Sequence, residues 1–113
     1  MTHGEIWLID FGSPKGSLPS KIRPAVIMQN DLLGISNLNT TVVIPFTSNL
    51  SRADNAPNVF FTKEETGLSK DSVALIHLIG AVNKFCFTQR VSRLSETNYA
   101  KVVSAVTQLI SNS

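Results

Sequence analysis

Apolar residues recur at the two-residue spacing of strands through most of the chain and at helical spacing near its C-terminal end. Gly4–Asp10, Gly-Glu-Ile-Trp-Leu-Ile-Asp, reads as a first strand of aromatic and β-branched residues. Phe11 to Ile22 carries Gly12, Ser13, Pro14, Gly16, Ser17, Pro19 and Ser20 and reads as a long loop. Loops of that length inside compact domains are usually functional or disordered. Arg23–Gln29 reads as a central strand. Pro24, with its fixed φ and no N–H, belongs at a strand's first position, which pins Arg23 at the mouth of the loop. Asn30–Thr40 reads as a second excursion and Thr41–Phe46 as a strand that Pro45 ends or places at an edge.

The polar segment Thr47–Pro57 reads as an exposed loop with one basic residue, Arg52. Asn58–Thr62 is a short strand, and Thr62 and Glu65 stand at capping-box spacing, which predicts one helical turn before Gly67. Ser72–Val82 is apolar on both alternating faces and predicts a single strand covered on both sides. His77, on the face of Val73 and Ile79, reads there as a structural histidine. Gln89–Leu94 is a last strand. Ser95 is a good N-cap, with Leu94 and Tyr99 in hydrophobic-staple positions. Tyr99, Val102, Val103, Val106, Leu109 and Ile110 then form one apolar helical face, which reads as core packing. The fold class expected is mostly β with α, a small SH3-like β-barrel with a C-terminal helix, in one domain over residues 1–113.

Composition narrows the chemistry. With 42% apolar and 16% charged residues in 113, the chain supports one compact core. A net charge of +2 means that any contact with nucleic acid must come from locally placed cations. The lone Cys86, between Phe85 and Phe87, excludes an intramolecular disulfide and reads as a buried, inert thiol. The start Met-Thr-His-Gly-Glu has no apolar leader, and no apolar run approaches a spanning length, so a cytoplasmic protein with no membrane partner is expected. His3 and His77 stand apart, and neither H-E-x-x-H nor C-x-x-C occurs, so no metal is expected. Walker, Rossmann and hydrolase-nucleophile motifs are absent too, and no cofactor is expected.

What the chain does offer is an arginine at a loop–strand junction and a hydroxyl, Thr47, at the end of another strand. Edged by lysines, such a pair can hold a phosphodiester and stabilise charge on its oxygens. That suggests RNA cleavage without metal, because RNA supplies its own nucleophile, the 2′-OH.

Gly4-Glu5-Ile6-Trp7, Arg23-Pro24-Ala25-Val26, Pro45-Phe46-Thr47-Ser48 and Asp71-Ser72-Val73 occur in that order, and the chain resembles the MazF/PemK family of type II toxin–antitoxin toxins. The resemblance implies a homodimer with the fold shared by CcdB and Kid. It also implies sequence-specific cleavage of single-stranded RNA to 2′,3′-cyclic phosphate and 5′-hydroxyl ends. Arg23 and Thr47 match the family's catalytic pair. The first long loop, with Lys15, Ser17 and Lys21, and the loop after the threonine, with Ser48, Asn49 and Arg52, would flank the RNA groove. The implied partners are mRNA and a cognate antitoxin that lays an acidic, disordered C-terminal segment across the same face.

Two positions depart from the family pattern: Leu18-Pro19 stands where many members carry Glu-Gln, and Gly80 where many carry arginine. Two other functions fit the same fold class. One is a CcdB-like poison of DNA gyrase, whose Trp-Gly-Ile C-terminus is replaced here by Ile110-Ser111-Asn112-Ser113. The other is an inactive barrel that only binds RNA or antitoxin.

Overall fold

The structure is a computed structural model that describes residues 1–12, 22–30 and 38–112. Among the described residues seven strands run β1 (Glu5–Asp10), β2 (Ile22–Ile27), β3 (Thr40–Thr47), β4 (Val59–Phe61), β5 (Ser72–Ala74), β6 (Gly80–Asn83) and β7 (Phe87–Arg93). A one-turn helix α1 (Lys63–Thr66) follows β4, and α2 (Glu96–Ile110) is the last element of the described chain. All recorded pairings are antiparallel. They give the order β4-β5-β3-β2-β1-β7, with β6 also paired to β3. The mostly β fold with a C-terminal helix is therefore as expected. Among the described residues the pairings form an open path, so "barrel" describes it only loosely.

Alternation along β1 explains the two-sided core. Ile6 and Ile9, three residues apart and both fully buried, point to opposite faces. On one face Ile6 joins Val26, Ile44, Phe46 and Phe61 beneath Val102 and Ala105 of α2. On the other, Ile9 joins Ala25, Ile27 and Val43, covered by Trp7, Phe11, Val82 and Phe87. Each fully buried aliphatic side chain contributes roughly 1.5–3 kcal/mol. Phe46 and Phe61, and Trp7 and Phe87, meet edge to face with ring centroids 6.4 and 5.8 Å apart.

The helix starts as the sequence predicts. Ser95 Oγ accepts from Asn98 N at 3.1 Å, and Tyr99 reaches back to donate from its hydroxyl to the Met28 carbonyl. The apolar stripe is narrower than expected, however. Val102 is buried while Val103, Leu109 and Ile110 are exposed, Ile110 to 75%. The helix leans on the sheet along Tyr99, Val102, Ala105 and Val106, and the opposite flank has no sheet beneath it.

Ser72–Val82 is not one strand. β5 pairs with the end of β3, Ala74 opposite Phe46, and β6 with its beginning, Gly80 opposite Val43. The five residues between Ala74 and Gly80 thus face the two between Val43 and Phe46, and the surplus forms a 3₁₀ turn, Ile76–Leu78. The interruption exposes His77, which therefore does not share a covered strand face with Val73 as expected of a structural histidine. Cys86 is half-buried at the rim of the second cluster rather than fully buried. Pro24 is the third residue of β2, not the first, because pairing with β1 extends out to Asp10 opposite Ile22. Lys15, Ser17 and Lys21 lie outside the described residues, as does most of the first long loop.

Candidate functional site

The ends of β2 and β3 build the site, and their hydrogen bonding explains its shape. The β2–β3 register sets Ala25 opposite Pro45, Val26 opposite Ile44 and Ile27 opposite Val43. Extended two residues outward, that register sets Arg23 opposite Thr47. Pro24 has no N–H to give to β3, so the β2–β3 ladder ends there and the strand ends are left for side chains to occupy. Arg23 Nη1 donates to the Phe46 carbonyl at 3.2 Å, which holds the guanidinium against the end of β3. Partial burial pushes the Arg23 pKa down from its ordinary value, and the group stays protonated regardless.

Thr47 is 8% exposed and sits opposite Val73 of β5 on its other side. Its Oγ1 accepts from Asn49 N at 3.1 Å. With that lone pair occupied, the hydroxyl proton remains for a group entering the groove.

Arg23 and Thr47 line a groove of about 330 Å³, with Ser48, Ser69, Lys70 and Ser72 along its polar side and Leu8, Phe46 and Leu68 among its apolar members. None of the described residues lining it is a carboxylate. A second groove of about 360 Å³ shares Ser48, Ser69 and Lys70 with the first and adds Lys63 and Asp71. Asp71 Oδ1 accepts from Lys63 N at 2.8 Å, which ties the carboxylate to the start of α1.

Of the residues the sequence singles out, Arg23, Thr47 and Ser48 come together. Asn49 does not line the groove. Its Oδ1 accepts from Ser51 N and Oγ, at 3.3 and 2.7 Å, and caps the 3₁₀ turn Leu50–Asp54. Arg52 lies half-buried in that turn, away from both grooves. Ser69 and Lys70 were missed by sequence reasoning. The signal available was a short Gly-Leu-Ser-Lys-Asp-Ser link between a capped turn and a strand, which local pattern alone does not place beside residues 23 and 47. Gly67 ends α1 at φ +75°, and Ser72 Oγ donates to the Lys70 carbonyl at 3.0 Å, so the link is fixed at both ends. Among the described residues no three His, Cys, Asp or Glu side chains converge as a metal site needs.

An antiparallel sheet with one packed helix, and a groove lined by cations and hydroxyls at its strand ends, defines the class: a small, mostly β protein. The family model for the PemK-like, MazF-like toxin of type II toxin–antitoxin systems matches residues 2–110, and the chain belongs to that family. Endoribonuclease MazF6 of Mycobacterium tuberculosis is 36% identical over 94 residues, covering 83% of this chain and 82% of that protein. Endoribonuclease MazF of Staphylococcus saprophyticus is 31% identical over 106 residues, covering 94% and 88%. Among solved structures, an endoribonuclease in complex with its cognate antitoxin from a mycobacterial species superposes with a TM-score of 0.72. It is 12% identical and covers 96% of this chain and 90% of that one.

Proposed function

We propose that this protein is the toxin of a type II toxin–antitoxin pair, an endoribonuclease that cuts single-stranded mRNA without a metal and acts as a cytoplasmic homodimer. The observation that carries the reading is the meeting of Arg23 and Thr47 across the open end of the β2–β3 ladder, in a groove whose described lining has no carboxylate. Family membership and relatives named endoribonucleases support the activity, and a neighbour bound to its cognate antitoxin supports an antitoxin partner. The resemblance gives that partner an acidic, disordered C-terminal segment that competes for the same face.

In this reading the RNA 2′-hydroxyl gives up its proton to solvent as its oxygen attacks the adjacent 3′-phosphorus in line, the bond to the 5′-oxygen breaks and that oxygen takes up a proton, leaving a 2′,3′-cyclic phosphate and a 5′-hydroxyl. Arg23 clamps the charge that gathers on the non-bridging oxygens, and Thr47 donates its hydroxyl proton to one of them. The partial burial that lowers the Arg23 pKa favours its giving a proton toward the leaving oxygen, not taking one from the nucleophile. Ser48, at the rim, and Lys70, shared by both grooves, hold the flanking backbone. Lys15, Ser17, Lys21, Asn49 and Arg52 complete the RNA contacts implied by the resemblance, Asn49 and Arg52 from outside the groove. One domain covers the chain.

The test incubates the protein with a long single-stranded RNA in EDTA beside the Arg23→Ala variant, maps the ends and assays them for cyclic phosphate. Discrete cuts with 5′-hydroxyl ends, lost in the variant, are expected. No cutting by the folded protein would overturn the reading.

A further inference from the structure

The parity of the β2–β3 ladder assigns Pro24 a role that its place beside Arg23 does not by itself reveal. Met28 N donates to the Val42 carbonyl at 2.9 Å, which marks that pair as one whose backbone groups face each other. In an antiparallel ladder such pairs recur every second residue. In this register the next are Val26 with Ile44 and then Pro24 with Phe46. At the last of these, an ordinary residue would donate its N–H to the Phe46 carbonyl. Proline has none to give, and the donor found at that carbonyl is Arg23 Nη1, at 3.2 Å.

We infer that Pro24 is a positioning residue: by withholding a ladder hydrogen bond it reserves the Phe46 carbonyl for the Arg23 guanidinium and so fixes the cation beside Thr47. Because consecutive residues of a strand direct their backbone groups to opposite neighbours, the missing N–H costs nothing on the β1 side, where Pro24 sits opposite Leu8. A carbonyl at the end of a strand is a fixed acceptor, and a guanidinium held on it presents its remaining N–H groups in a set plane. The catalytic consequence rests on the role proposed for Arg23 above. The hydrogen-bond consequence does not.

Two variants separate the missing N–H from the stiffness of the ring. Pro24→Ala restores the donor. Replacing Pro24 by lactic acid, which puts a backbone ester there, removes it again without a ring. In Pro24→Ala the new amide should show slow hydrogen exchange, the Arg23 guanidinium ¹⁵N signals should shift toward those of a solvated arginine, and kcat should fall about tenfold or more with KM little changed. The lactic acid variant should regain the guanidinium signature and most of kcat. A freely exchanging amide with unaltered Arg23 signals in Pro24→Ala would overturn the inference, as would equal kcat losses in both variants. If the wild type cuts no RNA while Pro24→Ala shows the expected exchange and both variants the expected Arg23 signals, the positioning stands and the enzyme reading sinks.

Discussion

Thr47 shows how much one side chain can be asked to do. Its oxygen is already engaged by Asn49 N, so its remaining contribution to a bound phosphate is a single directed proton. Thr47→Val keeps the shape and removes that proton. Loss of one preorganised donor to a developing oxyanion lowers kcat by about 10²–10³. The Asn49 amide, deprived of its Thr47 acceptor, adds a local stability loss of about 1 kcal/mol. Single-turnover cleavage with a thermal melt of the same sample separates the two effects. That Arg23 and Thr47 lie near the ends of their strands was legible in the sequence because Pro24 adjoins the one and Pro45 stands two residues before the other. Lys70 was not, since it reaches the groove through a pairing between β3 and β5 that local pattern does not encode.

At the scale of elements, the link from α1 to β5 is the piece whose conformation shapes the groove wall. Glu65 and Thr62 form the capping box expected from their spacing, and Gly67 closes the turn in the left-handed region. A Cβ at Gly67 would come 2.9 Å from Ser92 Cβ, and Ser92 Oγ donates to the Thr66 carbonyl. Gly67→Ala therefore meets both an unfavourable φ and a neighbour already committed to a hydrogen bond. It should destabilise by more than about 1 kcal/mol in urea titration. It should also weaken RNA binding, since residues 68–72 leave that turn to line the groove. The caps of α1 and α2 were readable because capping is local chemistry with fixed spacing. The break in Ser72–Val82 was not, because an apolar run looks alike whether it pairs once or twice, and only the length of β3 decides between them.

For the molecule as a whole, β1 and β7 are fastened by charge as well as by their ladder. Burial alone would raise the Glu5 pKa, but hydrogen bonds from Trp7 Nε1, Thr2 N and Arg90 Nε, at 3.0, 3.2 and 3.2 Å, outweigh it and bring the pKa below the ordinary value of 4.5. A carboxylate with a depressed folded pKa adds stability that is complete above its unfolded value. That stability is lost as pH falls through the folded one. Melting temperature should thus decline on acidification below about pH 4.5, and Glu5→Gln should flatten that decline while lowering stability at neutral pH. An unchanged acid slope in calorimetry would count against the network.

The same closure has a consequence during synthesis. The ladder that carries Arg23 and Thr47 is complete once β2 and β3 exist, yet its buried faces are not. Ile6 and Ile9 of β1 are enclosed only when β7 pairs alongside and α2 settles on the sheet. A nascent chain whose last strand and helix are still inside the ribosomal tunnel therefore carries both groove residues on an unfinished core. The groove residues therefore stand on a finished core only once β7 and α2 have emerged.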